Sequence, residues 1–282
     1  MNNQGNSVKS FYDHNTRKFL RLKKDNQTVN IHQPLYGPGI VNSTEASNYS
    51  NQLIDEYLKR LKVEEPHVLD LGCGVGGSIT YLGQRNKKAQ FTGVTISSKQ
   101  AEIGNQLIAE KGLSEHCRVL EGDFQQLPDL EPVDLAFSIE AFVHSPNARI
   151  FFQQVASKLK TGSKLILIDD CLTERYTSKI SKLELELVND FKEGWITPSL
   201  HLISELEKIA NVEGFILLEN NDLTSMMRIG RPRDKLFGLL LFFFKKQMKK
   251  SQYFQMIVGG YAKQQCIKKG IVNYRMFVFE KM

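Results

Sequence analysis

At 282 residues the chain is long enough for one large α/β domain with an elaborated cover, or for two small domains. Its 41% hydrophobic and 24% charged residues are ordinary for a soluble globular protein. The formal charge of +6 is spread without a basic arm, which speaks against nucleic acid as partner, and the longest apolar run, residues 236–244, is far below the ~20 residues that cross a bilayer. Cys73, Cys117, Cys171 and Cys266 lack metal-ligand spacing, so no metal site is expected and the thiols read as reduced and packed. With a polar N-terminus lacking a secretory pattern, this points to the cytoplasm.

Residues 1–62 carry no convincing strand. Val8, Phe11, Tyr12, Phe19, Leu20 and Leu22 predict an amphipathic helix over 8–22, and Pro34, Gly37, Pro38 and Gly39 forbid regular structure after it. Ser43 is placed to cap a helix over 45–61, with Leu53, Ile54, Tyr57, Leu58 and Leu61 on one face. This segment is expected as a helical cap over a cleft. Hinged at Asn26, Pro34 and Gly37, it could exchange between protomers, which leaves a homo-oligomer open.

From 63 to 170 the pattern alternates as βα units, with strands over 68–71, 90–95, 117–120, 133–137 and 164–168. Helices are expected through Tyr81 and Leu82, over 98–109 with Ser97 or Ser98 as cap, and over 147–159. Beyond Asp170 the spacing predicts helices over 180–191 and 199–210, strands over 215–218 and 274–279, and a long excursion at 221–270. The expected fold is α/β: a doubly wound, mostly parallel seven-stranded sheet over 63–282, with lid segments at about 171–198 and 221–270. The run 236–244, followed by Lys245, Lys246, Lys249 and Lys250, reads as a lid helix, a substrate wall or an interfacial anchor on acidic lipid, with the lid favoured.

The chemistry centres on residues 68–77, Val-Leu-Asp-Leu-Gly-Cys-Gly-Val-Gly-Gly, a short strand, a glycine turn and a helix start. The G-x-G-x-G spacing of Gly72, Gly74 and Gly76 is tighter than the dinucleotide fingerprint, and Asp70 stands two positions before it. Residues 69–76 resemble motif I of the class I S-adenosylmethionine (AdoMet) methyltransferases. The resemblance implies AdoMet as cofactor, with Asp70, Gly72, Cys73 and Gly74 around its amino-acid end. It further implies Asp123 at the adenine amino group, Phe124 against the ring, and Ile139 among the cofactor contacts. An acceptor beside a flat apolar surface is what a purine with an exocyclic amine requires. Thr95 departs from the many members with a carboxylate at that place. Thr95-Ile96-Ser97 with Gln100 instead resembles the branch of sterol, tocopherol and cyclopropane-forming enzymes, whose polar loop and glutamine lie near the ribose.

Glu140 and His144 follow the fourth strand, where this family keeps its substrate-side groups. A carboxylate stabilises a developing carbocation if the nucleophile is an alkene, and a histidine with an unperturbed pKa near ~6.5 can take a proton from a hydroxyl. Tyr12, Tyr36, Phe142 and Trp195 are candidate walls for a small hydrophobic substrate. The segment from Tyr12 through Asn15 to Leu22, with His32, Tyr36 and Gly37, is similar to the opening of prenyl-diphosphate C-methyltransferases. Gly259-Gly260-Tyr261 through Tyr274 to Lys281 resembles the close of sterol-type C-methyltransferases. The expected function is AdoMet-dependent methylation of a small hydrophobic metabolite, foremost C-methylation of an isoprenoid. O-methylation of a natural-product hydroxyl and a non-catalytic AdoMet-fold protein are the alternatives. A nucleic-acid enzyme is disfavoured by the missing Asn/Asp-Pro-Pro-aromatic motif, and a nicotinamide dehydrogenase by the turn spacing and Thr95.

Overall fold

The computed structural model describes residues 29–178, 180–230 and 251–282, with Lys9, Gly238, Leu241, Lys245 and residues 247–249. The helix expected over 8–22, including Tyr12, and most of the run 236–244 lie outside the described residues. Helix α1 (Ser43–Lys59) lies in the cap segment ahead of the first strand. Its cap is Asn42 rather than Ser43: the backbone is still extended at Asn42, whose side chain accepts from Glu45 N at 2.8 Å.

The sheet follows as β1 (His67–Leu71), β2 (Gln90–Thr95), β3 (Cys117–Glu121), β4 (Val133–Ile139), β5 (Leu159–Leu172), β6 (Phe215–Asp222) and β7 (Val272–Lys281). Its spatial order is β3-β2-β1-β4-β5-β7-β6. The first five strands are parallel, and β7 runs antiparallel between β5 and β6. Helices α2 (Gly77–Arg85), α3 (Ser98–Glu110) and α4 (Ala148–Lys158) make the crossovers. Because helices cover both faces, β4 is buried at every position, Asp134 and Ser138 included. Alternation along the strands sorts the core into two layers. Val68, Leu135, Phe137, Ile166 and Val278 pack toward α1 and α2, whereas Leu69, Ala136, Leu165, Leu167 and Phe279 pack toward α4.

The short α5 (Arg175–Ser178) and then α6 (Lys182–Trp195) follow β5, and α8 (Gln252–Lys268) precedes β7. A Ser181–Glu184 capping box starts α6. Helix α7 (Ile203–Val212) begins later than the spacing predicts, because Ser199 is engaged elsewhere: its amide donates to Val143 O at 3.0 Å and its hydroxyl to Ser145 O at 2.6 Å. No helix among the described residues is long and apolar enough to cross a membrane.

Helices α6 and α8 meet through glycine. A Cβ on Gly194 would lie 2.5 Å from Gln255 O and 2.7 Å from Gly259 Cα, so neither backbone can yield without parting the helices. Beside this contact the buried Asp190 of α6 pairs with Lys245 and, at 2.6 Å, with Lys249. Gly194→Ala should therefore cost about 1–3 kcal/mol of stability, the range for overpacking a close-packed contact. Urea denaturation measures it, and an unchanged midpoint would sink the argument.

Candidate active site

The turn after β1 is built around Gly72, whose φ is +81°. The amides of Gly72 and Cys73 both donate to Val94 O, at 2.8 and 3.0 Å, which fastens the turn to the end of β2. A Cβ on Gly72 would stand 2.3 Å from Ala141 Cβ, so only glycine lets the segment after β4 close over the turn. Asp70, only 3% exposed, ends up under the turn, and burial pushes its carboxyl well above the usual range.

Beyond the carboxyl ends of β1, β2, β4 and β5 lies a cavity of about 440 Å³. Asp70, Gly72, Cys73, Gly74, Thr95, Ile96, Gln100, Asp123, Phe124, Ile139, Glu140, His144 and Trp195 all line it. At the end of β2 the Thr95 hydroxyl donates to Gln100 Oε1 at 2.6 Å, while Ser97 Oγ caps α3 by accepting from Gln100 N. The glutamine is thus fixed at the end of β2, facing the cavity. Asp123 Oδ1 accepts from Gln125 N at 2.8 Å, so this carboxylate both shapes its own turn and faces the cavity. Phe124 is buttressed edge-on by Phe151, with ring centroids 5.5 Å apart.

Glu140 has φ +52°, a left-handed conformation that costs a non-glycine residue roughly 1 kcal/mol. Its amide donates to Ile168 O and its Oε1 accepts from Gln33 N, both at 2.9 Å, so the cap segment is tied to this carboxylate. His144 donates from Nδ1 to Ile196 O at 2.9 Å, which leaves the lone pair of the neutral ring on Nε2. Burial lowers its pKa, the Ile196 bond opposing in part, and keeps the ring neutral at pH 7.

Two expected substrate walls are corrected. Phe142 is 2% exposed and packs against Phe151 and Phe152 in the core, off the cavity lining. The 3-10 turn Phe142–His144 sends that ring to the core, and Ala141 and Val143 line the cavity in its place. Tyr36 also stands off the lining; its ring lies under the guanidinium of Arg228, which does line the cavity. Tyr12 is outside the described residues.

Sequence reasoning missed a second acidic group. Asp169 and Asp170, at the end of β5, line the inner wall with Lys263 of α8. Asp169 accepts from the amides of Val143 and Asp170, at 3.1 and 2.9 Å, and burial with the neighbouring Asp170 charge pushes its carboxyl well up. Lys263 Nζ pairs with Asp170 Oδ2 at 2.6 Å. Burial pulls this ammonium down, but Asp170 and Glu140 outweigh it and hold Lys263 above its ordinary value. The signal for the aspartates was available: two adjacent acids ending an apolar central strand. Nothing in the sequence set Lys263 apart from Lys268, the other lysine of α8.

A sheet in this order, with a reversed seventh strand and a glycine-turn cavity at its carboxyl edge, defines the class I methyltransferase fold. The profile of the mycolic acid cyclopropane synthetase family matches residues 41–226, and the chain belongs to that family. A sterol 4-C-methyltransferase of Caenorhabditis elegans is 31% identical over 185 residues, covering 62% of this chain and 54% of that protein. The chain spans about half the length, 43–54%, of the curated relatives it matches first. Geranyl diphosphate C-methyltransferase of Streptomyces coelicolor, solved with Mg2+, a thiolodiphosphate analogue and S-adenosyl-L-homocysteine, superposes with a TM-score of 0.77 at 17% identity, covering 100% of this chain and 99% of that one. A cyclopropane synthase of Mycobacterium tuberculosis superposes with a TM-score of 0.72 at 20% identity over 98% of both chains. At such identities these two structures speak for the fold.

Gly72→Ala should lower AdoMet affinity by at least about tenfold, because the added methyl drives the turn away from Ala141. Calorimetric titration of AdoMet reads this directly; affinity within twofold of the natural chain would refute the cradle.

Proposed function

We propose that the chain is an AdoMet-dependent methyltransferase that methylates carbon on a small hydrophobic acceptor of the isoprenoid class. One observation carries the reading: the glycine turn, the Thr95–Gln100 pair, Asp123 with Phe124, and Glu140 converge on a single cavity. The donor set fits the cofactor. Asp70 and the turn suit a charged amino-acid moiety, Gln100 a ribose, and Asp123 with Phe124 an aminopurine. When bound, AdoMet supplies a methyl group on a sulfonium, a strong electrophile that needs no activation by the protein. The likeness to a sterol C-methyltransferase and to a geranyl diphosphate C-methyltransferase supports an isoprenoid acceptor.

The protein's own work is placement, charge and proton removal. Phe191, Trp195 and Ile267 give the acceptor an apolar wall that excludes water. As an alkene carbon takes a methyl group, positive charge develops on the acceptor. Glu140, held rigid by Gln33 and Ile168, offers a carboxylate at that point and a place for the proton then released.

A full-chain assay with methyl-labelled AdoMet and a panel of prenyl and sterol acceptors tests this. Label should enter a C–C bond, and Glu140→Gln should reduce turnover by about 10²-fold with AdoMet affinity changed less than threefold. Label on oxygen, or an undiminished Glu140→Gln enzyme, would overturn the C-methylation reading.

The neutral His144 favours one second reading, O-methylation with Nε2 as base. Only the neutral ring accepts a proton, and its pKa is lowered, so the acidic limb of kcat/KM for a hydroxyl acceptor should lie below pH 6.5. His144→Gln should abolish that limb. A limb that persists in the variant would remove His144 from the chemistry.

A further inference from the structure

The cavity sorts charge by depth. Apart from Asp70 and Asp123, which the cofactor reading occupies, its lining carries the carboxyl groups of Glu140, Asp169 and Asp170 against one inner cation, Lys263, which Asp170 already neutralises. An anionic group placed inside would meet carboxylates and no unengaged ammonium. The remaining cation of the lining, Arg228, is different in kind: it is exposed, so it stands at the rim. Among the described residues no carboxylate pairs with it, and its recorded partner is the Tyr36 ring, with Cζ 3.4 Å from the centroid.

That stacking is built by backbone. Leu35 bridges Met227 in antiparallel fashion, and Tyr36 N donates to Met226 O at 2.7 Å. The clip joins the cap segment to the stretch after β6 and sets the ring beneath the guanidinium. A guanidinium lying flat on a ring keeps its in-plane N–H donors directed outward, with little rotamer freedom left to lose on binding.

Resting on the reading that this cavity takes a hydrophobic acceptor, we infer that Arg228, pre-organised on Tyr36, anchors an anionic head group of that acceptor at the rim. The acceptor is then an amphiphile with a phosphate or carboxylate head, its unsaturated tail directed inward toward Glu140. The polarity is fixed from both ends: the buried interior offers the head no unengaged cation, and the rim donors capture it. Tyr36 is a positioning residue here, acting through Arg228.

Calorimetry on the full chain with geranyl monophosphate, geranic acid and geraniol tests the assignment. The two anions should bind at least about tenfold tighter than the alcohol, as charge-assisted bonds to a fork allow. Arg228→Gln should erase that preference and leave geraniol within twofold. Tyr36→Leu, which retains the charge but removes the platform, should cut the preference several-fold, again sparing geraniol. Phosphate and carboxylate together identify a general anion anchor; a gain confined to phosphate narrows the head to that group. The inference is overturned if the alcohol binds as well as the anions, if the preference survives Arg228→Gln, or if that variant weakens all three ligands alike. AdoMet titrated into the same preparations keeps the two readings apart: its failure to bind would sink the methyltransferase, whereas the anion preference stands or falls on its own.

Discussion

The contact on which the site depends is the one between Gly72 and Ala141. Strands β1 and β4 are neighbours in the sheet, but their carboxyl ends would diverge with its twist if a side chain stood at Gly72. With no Cβ there, the segment after β4 folds directly over the first turn, and the residue before Ala141 is Glu140. The glycine turn and the Glu140 side of the cavity are therefore brought together by one missing methyl group. The bonds from Gly72 and Cys73 to Val94 O hold the third participant, the end of β2, in the same frame.

Strain and burial concentrate where that frame meets the acceptor. Among the described residues the two non-glycine positions with positive φ are Glu140 and Ile196, and His144 lies between them: it follows Glu140 by one helical turn and donates to the Ile196 carbonyl. Backbone held in sparsely populated conformations persists where surrounding contacts over-determine it, and here those contacts come from β5, the cap segment and the end of α6. Asp169 belongs to the same arrangement, since its carboxyl accepts the amide of Val143 and so fixes the turn carrying His144. The inner wall is thus a set of mutually constraining polar groups, with Lys263 as the counter-charge.

Much of this was legible in the sequence because it is local. Five strands with apolar runs ending in glycine, threonine or acidic residues mark the carboxyl edge of a parallel sheet, and the residues just after them are the ones that line the cavity. The strands over 215–218 and 274–279 were legible by the same runs, whereas their antiparallel pairing is not a local feature. What the sequence hid is what depends on packing direction or distant partners. Phe142 and Ala141 are adjacent, and only the 3-10 turn decides which faces the cavity. Tyr36 was picked out as an aromatic of the cap, yet its ring serves a guanidinium 192 positions later, a pairing no spacing encodes. Lys263 is one of two lysines on α8, with Lys268, and gains its role solely by facing Asp170. Asn42 rather than Ser43 as the cap of α1 is the ordinary one-residue ambiguity among adjacent capping residues.

The chain contains a single tryptophan, and that residue is Trp195, on the cavity wall beside Gly259 and Gly260. Its indole Nε1 is buried and pairs with no described residue. Indole emission shifts with local polarity and hydrogen bonding, and no second fluorophore of its kind dilutes the signal. The chain accordingly carries an intrinsic optical probe on the cavity wall, one that reports filling of the cavity without label, substitution or turnover.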